Sequence, residues 1–425
     1  MSTPPPTTGS ATPRTEPSSA PPVVRRKSNT LAVVAIVVVV VLVAAALAVG
    51  YEEGWLGNAK SSSTSGCPTG ITLQGNGAQF VNPLVSQWAP AYASATGNQV
   101  NYPAGGSGTG IADFNSTSID FAITDEPLDA AQTGYLHSPA LTLPIVGGAL
   151  AIIYNLPGVT QQLNLSGTLI AGIYLGTITN WNASAIRAAN PGVHLPNQTI
   201  YTVHRSDPAG TTYVLTNFLS LDNATWASQV GQGISVNFPL PPSGPKQIAL
   251  KGNSAVLTEV ETTQYTIGYS DLTDVLNAKT PPAYAAVENP MGNYISPYSS
   301  TSGISSTISA INDKLSTLTL PSSSGNWYNV SLVNAGGTRD YPLATFVFLF
   351  VYKALDKGFN PSTAKSQVIV QWLNWVVSPT AQAYANSPTG ATPLYYVPLP
   401  SSVVNVDQVG IQSLTYSGVA VPACG

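Results

Sequence analysis

The chain has 425 residues, 44% of them hydrophobic and only 8% Asp, Glu, Lys or Arg, with a net charge of -4. That balance, with no Lys/Arg cluster beyond residue 67, excludes a broad basic surface and hence nucleic acid as a partner. Solubility must rest on Ser, Thr, Asn, Gly and Tyr, which suits a surface outside the cell.

Residues 1–30 read as a disordered cytoplasmic tail, because Pro, Thr and Ser dominate and few large apolar side chains are present to offset ordering entropy. Arg25-Arg26-Lys27 then precedes an uncharged run that starts at Leu31 and ends at Gly50, long enough to cross a bilayer as one helix. The flanking positive charges place the tail inside and everything after Gly50 outside. No small-x-small cleavage site follows at once, so residues 31–50 are expected to stay as a membrane anchor rather than leave as a signal peptide. Residues 51–66 read as a flexible spacer.

The globular part opens with a short β-rich run at Ile71-Thr-Leu73, a Gly-rich turn at Gly75-Asn-Gly-Ala-Gln-Phe80, and a helix over 81–95 with Leu84, Val85, Trp88 and Tyr92 at helical spacing. Gln99-Val-Asn-Tyr102 leads into Gly105-Gly-Ser-Gly-Thr-Gly110 and a second helix, and Ile119-Asp-Phe-Ala-Ile-Thr124 is the next strand. Further strands are expected at 143–154 and 200–203, a helix at 212–221, and a late strand and helix at 346–352 and 368–377. Alternation of this kind predicts a parallel sheet in an α/β fold.

Three loops place small residues at strand-to-helix junctions: Gly75 to Phe80, Gly105 to Gly110, and Ser206 to Thr212. Helix starts offer unpaired N–H groups, and glycine lets an anion come close, so converging loops of this type make an oxyanion site. Each alone is weak, since glycine at such a junction is more often a turn requirement. None carries the Gly-Lys-Ser/Thr of a nucleotide phosphate loop. His137, His194 and His204 share no ligand spacing with one another or with the cysteines, so no metal and no cofactor is expected.

Several stretches are similar, in order, to the phosphate-binding proteins of phosphate ABC importers. They are Leu73-Gln-Gly-Asn-Gly-Ala-Gln-Phe80, Gly106-Ser-Gly-Thr-Gly110, Ile119-Asp-Phe-Ala-Ile-Thr-Asp125, Gly172-Ile-Tyr-Leu-Gly176 with Asn180-Trp181, and His204-Arg-Ser-Asp-Pro-Ala-Gly-Thr211. Weaker similarity carries the match to about Val404. The resemblance implies a two-lobed periplasmic-binding-protein-like fold of type II, each lobe a mainly parallel sheet flanked by helices, here preceded by one transmembrane helix. Lobe I would comprise 67–145 and 342–425, and lobe II 146–341.

The resemblance also implies the function: capture of inorganic phosphate between the lobes and delivery to a transmembrane permease by a monomeric, non-enzymatic receptor. By position, Phe80 supplies a backbone amide, Ser107 a hydroxyl and amide, Arg205 the guanidinium with Asp207 orienting it, and Gly210 and Thr211 donors from a helix start. Asp125 is the discriminating residue. An ionised carboxylate only accepts hydrogen bonds, phosphate has a proton to donate and sulfate has none. The family has threonine where Gln79 stands and serine where Ala209 stands, so two hydroxyl donors are replaced, leaving backbone amides and the Gln79 side chain. Receptors for arsenate, sulfate, molybdate or tungstate are the alternatives, with Asp125 arguing against the unprotonated ones. A surface phosphatase would need a nucleophile with its base or a metal cluster, and neither is present in the sequence.

Cys67 and Cys424 bracket the globular part, and a discontinuous lobe I puts both on one lobe, so a disulfide between them is expected. Trp181, Trp226, Trp327, Trp372 and Trp375 lie in apolar contexts and are assigned to packing. Asn115, Asn164, Asn182, Asn197, Asn223 and Asn329 head Asn-x-Ser/Thr sequons.

Overall fold

The computed structural model describes residues 66–239 and 247–424. The expected tail, the run 31–50 and all of the spacer except Gly66 lie outside these residues. No helix among the described residues is long and apolar enough to cross a membrane.

In chain order the first strands are β1 (Thr72–Gly77), β2 (Gln99–Asn101), β3 (Phe121–Thr124), β4 (Ala140–Tyr154), β5 (Asn164–Leu165), β6 (Tyr201–Arg205) and β7 (Gln247–Leu250). They are followed by β8 (Thr266–Asp271), β9 (Ala283–Tyr284), β10 (Ala286–Glu288), β11 (Tyr294–Ile295), β12 (Ala344–Tyr352), β13 (Thr415–Tyr416) and β14 (Val419–Ala420). A nine-stranded sheet runs β2-β1-β3-β12-β4-β8-β6-β7, with β9 on the flank of β4, and β11-β10-β5 and β13-β14 form two small sheets. The outer strands pair in parallel, as the βα alternation predicts. The centre does not, because β12 is antiparallel to both β3 and β4, and β4 is antiparallel to β8.

Two continuous apolar segments build that centre. All nine residues of β12 are buried, as are all but the first of β4, which is the pattern of strands covered on both faces. Pro144 cannot donate to a ladder, and it sits where the register jumps from Val347 opposite Val146 to Phe348 opposite Pro144. Ile145 is thereby the extra residue of a bulge, a place where proline is tolerated. Along β4 the partner then changes: Ala149 still faces Ala344 of β12, whereas Leu150 faces Asp271 of β8. One strand thus belongs to two halves of the sheet, and the two-lobed architecture follows.

Helix Asn82–Thr96 buries Leu84, Val85, Trp88 and Tyr92 on one face and stops at Gly97, whose φ of 74° gives a left-handed cap. Its aromatic residues meet helix Thr363–Val376: Tyr92 lies 5.0 Å from Trp372 edge-on, and Trp372 stacks on Trp375 at 5.5 Å. Trp181, Trp226, Trp327 and Trp372 are all buried, in keeping with packing roles.

The strand expected at 71–73 extends to Gly77. Gly75 and Gly77 are inside it because a side chain would not fit: a Cβ on Gly75 would lie 2.3 Å from the Phe121 ring, and one on Gly77 1.9 Å from the Ile123 carbonyl oxygen. These two glycines pack strands together; they are not anion contacts.

Candidate anion-binding site

Three helices start on the facing ends of the two half-sheets. Ser107–Asn115 follows β2, Gly210–Asp222 follows β6, and Asn253–Thr262 follows β7. Each N-cap lacks a capping side-chain bond of its own, since Gly106, Ala209 and Gly252 hold those positions. Around them lies a small, tightly closed pocket. Gln79, Phe80, Gly106 and Ser107 wall one side, Asp125 the end of β3, and Arg205, Ala209, Gly210, Thr211 and Asn253 the other.

The Phe80 loop is fixed by two tyrosines, the half-buried Tyr102 donating to the Ala78 carbonyl (2.8 Å) and the buried Tyr396 to the Phe80 carbonyl (2.6 Å). Asn76 ties this loop to the next, its Oδ1 accepting from Gly77 and Gly105 and its Nδ2 donating to Asp113. The N–H groups of Phe80, Ser107 and Thr211 find no backbone acceptor among the described residues, so they are free to meet an anion. The Gly210 N–H donates across the cleft to Ser107 Oγ at 3.1 Å, which leaves the Ser107 hydroxyl proton as a further donor.

Arg205 is only 6% exposed and held on three sides. Its Nε and Nη2 donate to the two oxygens of Asp207 at 2.7 and 2.5 Å, a bidentate fork. Nη1 donates to Asn253 Oδ1, and Asn253 Nδ2 in turn donates to the buried carboxylate oxygen Asp271 Oδ2 at 3.0 Å. Burial works to raise the Asp207 carboxyl, but hydrogen bonds and charge from Arg205 outweigh it and hold it below the usual range. Asp207 thus neutralises the guanidinium while orienting it.

Asp125 is 2% exposed and its Oδ1 has no hydrogen-bond partner. Its other oxygen lies so close to Gly210 that a Cβ there would come within 2.3 Å of it. Burial pushes this carboxyl up to about 7, against the pull of the Arg205 guanidinium. An unpartnered buried acceptor in a ring of donors is an unusual element, and it requires a ligand that brings a proton.

A family model described as a PBP superfamily domain matches residues 60–380. The phosphate-binding protein PstS of Xylella fastidiosa (strain 9a5c) is 34% identical over 357 residues, covering 82% of this chain and 87% of that protein. The PstS of Methanocaldococcus jannaschii is 31% identical, covering 82% and 88%. The chain belongs to the PstS family of phosphate-binding proteins. Among solved structures, a phosphate-binding protein from Stenotrophomonas maltophilia superposes with a TM-score of 0.57 at 19% identity, covering 83% of this chain and 99% of that one. The high-affinity periplasmic phosphate-binding protein PfluDING, solved with bound phosphate, gives 0.60 at 19% identity and coverage of 83% and 96%. At those identities the structures attest the fold.

Within the PstS frame, all the pocket residues named from sequence converge, and Asp207 stands behind Arg205 as expected. Asn253, Asn76 and Gly106 were not singled out. Asn253 follows the Lys251-Gly252 turn at another strand-to-helix junction, the same signal that marked the other loops. Asn76 and Gly106 lay within quoted motifs without being assigned a role. His204 stacks on Phe238 at 4.2 Å, and burial lowers its basicity despite its hydrogen bond to the Arg205 carbonyl. It is a packing side chain. Cys67 and Cys424 are free thiols that share a surface pocket. Burial first, and then the neighbouring Cys67, to which Cys424 donates, push the Cys424 thiol up to about 11.

Proposed function

We propose that this PstS-family chain is an extracytoplasmic receptor that closes on inorganic phosphate and delivers it to the permease of an ABC importer. It is a binding protein and not an enzyme. The observation that carries the ligand assignment is the buried, unpartnered Asp125 carboxylate oxygen facing the same pocket as Arg205. Phosphate takes N–H bonds from Phe80, Ser107 and Thr211, a hydroxyl bond from Ser107 and guanidinium bonds from Arg205, and donates its own proton to Asp125, while the Gly210 N–H holds Ser107 Oγ in place. Ala209 contributes backbone alone. Lobe I comprises 67–145 and 342–425, lobe II 146–341, and a monomer is sufficient for the cycle. Residues 31–50 anchor it in the membrane.

Titration calorimetry of the full chain tests the ligand. Saturable one-to-one binding of phosphate is expected at pH 8, with far weaker binding of sulfate; equal affinity for both would sink the assignment.

The two cysteines are proposed to be oxidised in the extracytoplasmic compartment, supported by their shared pocket. Closing a loop that spans nearly the whole globular part is worth about 6 kcal/mol by chain entropy. Chemical denaturation with and without reductant is expected to show a loss of that order on reduction. Two titratable thiols in oxidised, unfolded protein would contradict the bridge.

A further inference from the structure

Gln79 stands on the loop after β1, and Asn253 heads a helix on the opposite half of the sheet. The Asn253 N–H donates to Gln79 Oε1 at 2.7 Å. This is the first amide of helix Asn253–Thr262, whose own N-cap, Gly252 at φ 92°, has no side chain to offer. The neighbouring Gly252 N–H goes to Asp207 Oδ1 at 3.1 Å. A side chain from one lobe therefore completes the N-terminus of a helix in the other. A threonine, expected here from the resemblance, has no atom beyond Cγ and is too short to do so.

We propose that Gln79 is a clamp between the lobes, a positioning residue that caps helix Asn253–Thr262 across the cleft when the receptor closes. Its ligand arm rests on the phosphate assignment above; the capping arm does not. Because an N–H needs an acceptor, Oε1 is committed to Asn253 and Nε2 remains as a donor on the pocket wall. The clamp also reaches Arg205, since the same Asn253 receives Nη1 through its side chain. Closure, the cap and the seat of the guanidinium are thus made by one residue pair, so ligand release must break the cap. The expected cost of removing it is a closed population reduced about five- to tenfold.

The test compares the full chain with Gln79→Met, which keeps the length and removes both polar atoms, and Gln79→Glu, which keeps the acceptor and loses the donor. Amide hydrogen exchange at the start of helix Asn253–Thr262 should quicken about five- to tenfold in the Met variant and stay slow in the Glu variant. Exchange in helix Thr363–Val376 reports that the fold is intact. With phosphate, the Met variant should release ligand about five- to tenfold faster, and the Glu variant should bind at least about tenfold more weakly through charge repulsion. Equal protection of Asn253 in wild type and the Met variant overturns the clamp, whatever the ligand. A wild type that binds no phosphate overturns the ligand assignment instead, and the exchange comparison still decides the clamp.

Discussion

Asp125→Asn is expected to lower phosphate affinity at least about 100-fold while raising sulfate affinity, so that the preference between the two anions narrows or reverses. In the wild type the buried oxygen can only accept, and a fully ionised tetrahedral anion would place charge against charge with no proton between them. The carboxylate cannot swing aside, because Gly210 closes on it so tightly that no side chain fits there. Asparagine of nearly the same shape adds an N–H donor, which a sulfate oxygen accepts, and leaves only a neutral carbonyl oxygen in place of the charged acceptor for the phosphate proton. The same reasoning gives a pH signature. With the Asp125 carboxyl pushed up to about 7 by burial, acidification converts it from acceptor to donor, so wild-type sulfate binding should grow as pH falls below about 7. Calorimetry at pH 8 and pH 5 with both anions checks both outcomes. A variant that keeps wild-type selectivity would remove Asp125 from the mechanism.

Thermal stability is expected to rise as the medium is acidified, against the usual direction. Burial raises Asp125 to about 7 and Glu126 to about 8, and lifts Asp271 and Asp407 well above the carboxylate range. Among the described residues only three ion pairs set a cation against an acid, and just two carboxyls, Asp207 and Asp356, are held low. A raised carboxyl keeps its proton in the folded state where the unfolded chain has already lost it. Its contribution is therefore fully present below about pH 4 and lost as pH climbs through the folded value. Moving one carboxyl from 3.8 to about 7, as for Asp125, corresponds to about 4 kcal/mol over that interval. Melting curves in phosphate-free buffer should show a midpoint about 10 °C or more higher at pH 4 than at pH 8. A flat or rising profile toward pH 8 would mean those carboxyls are ionised in the fold.

Much of this was legible in sequence where periodicity or motif spoke directly. Trp88 and Tyr92 at helical spacing marked the first helix, and the run ending in Tyr154 marked the crossing strand. Arg205 and Asp125 came from motifs set in a family pattern. Asn253 did not: the Lys251-Gly252 turn before it carries the local signal of the other loops, but its contact with Arg205, far away in the chain, is not encoded there. The glycines misled in part: Gly75 and Gly77 signal a turn on paper, yet a ring and a carbonyl press on them from β3. The antiparallel centre was also hidden. A continuous apolar segment buries equally well in either direction.

The change of partner along β4 between Ala149 and Leu150 has a mechanical meaning. Near it the Leu150 N–H is held by the Leu343 carbonyl and its own carbonyl by the Tyr341 hydroxyl at 2.7 Å. Strand β4 and the turn through Tyr341 and Leu343 that leads into β12 therefore join the halves side by side, like a short leaf spring. Rotation stored in such a strip is spread over a few backbone torsions and needs no ladder to break. Opening as proposed above would then be a twist of this strip, leaving the side chains at the mouth to decide how long it stays shut.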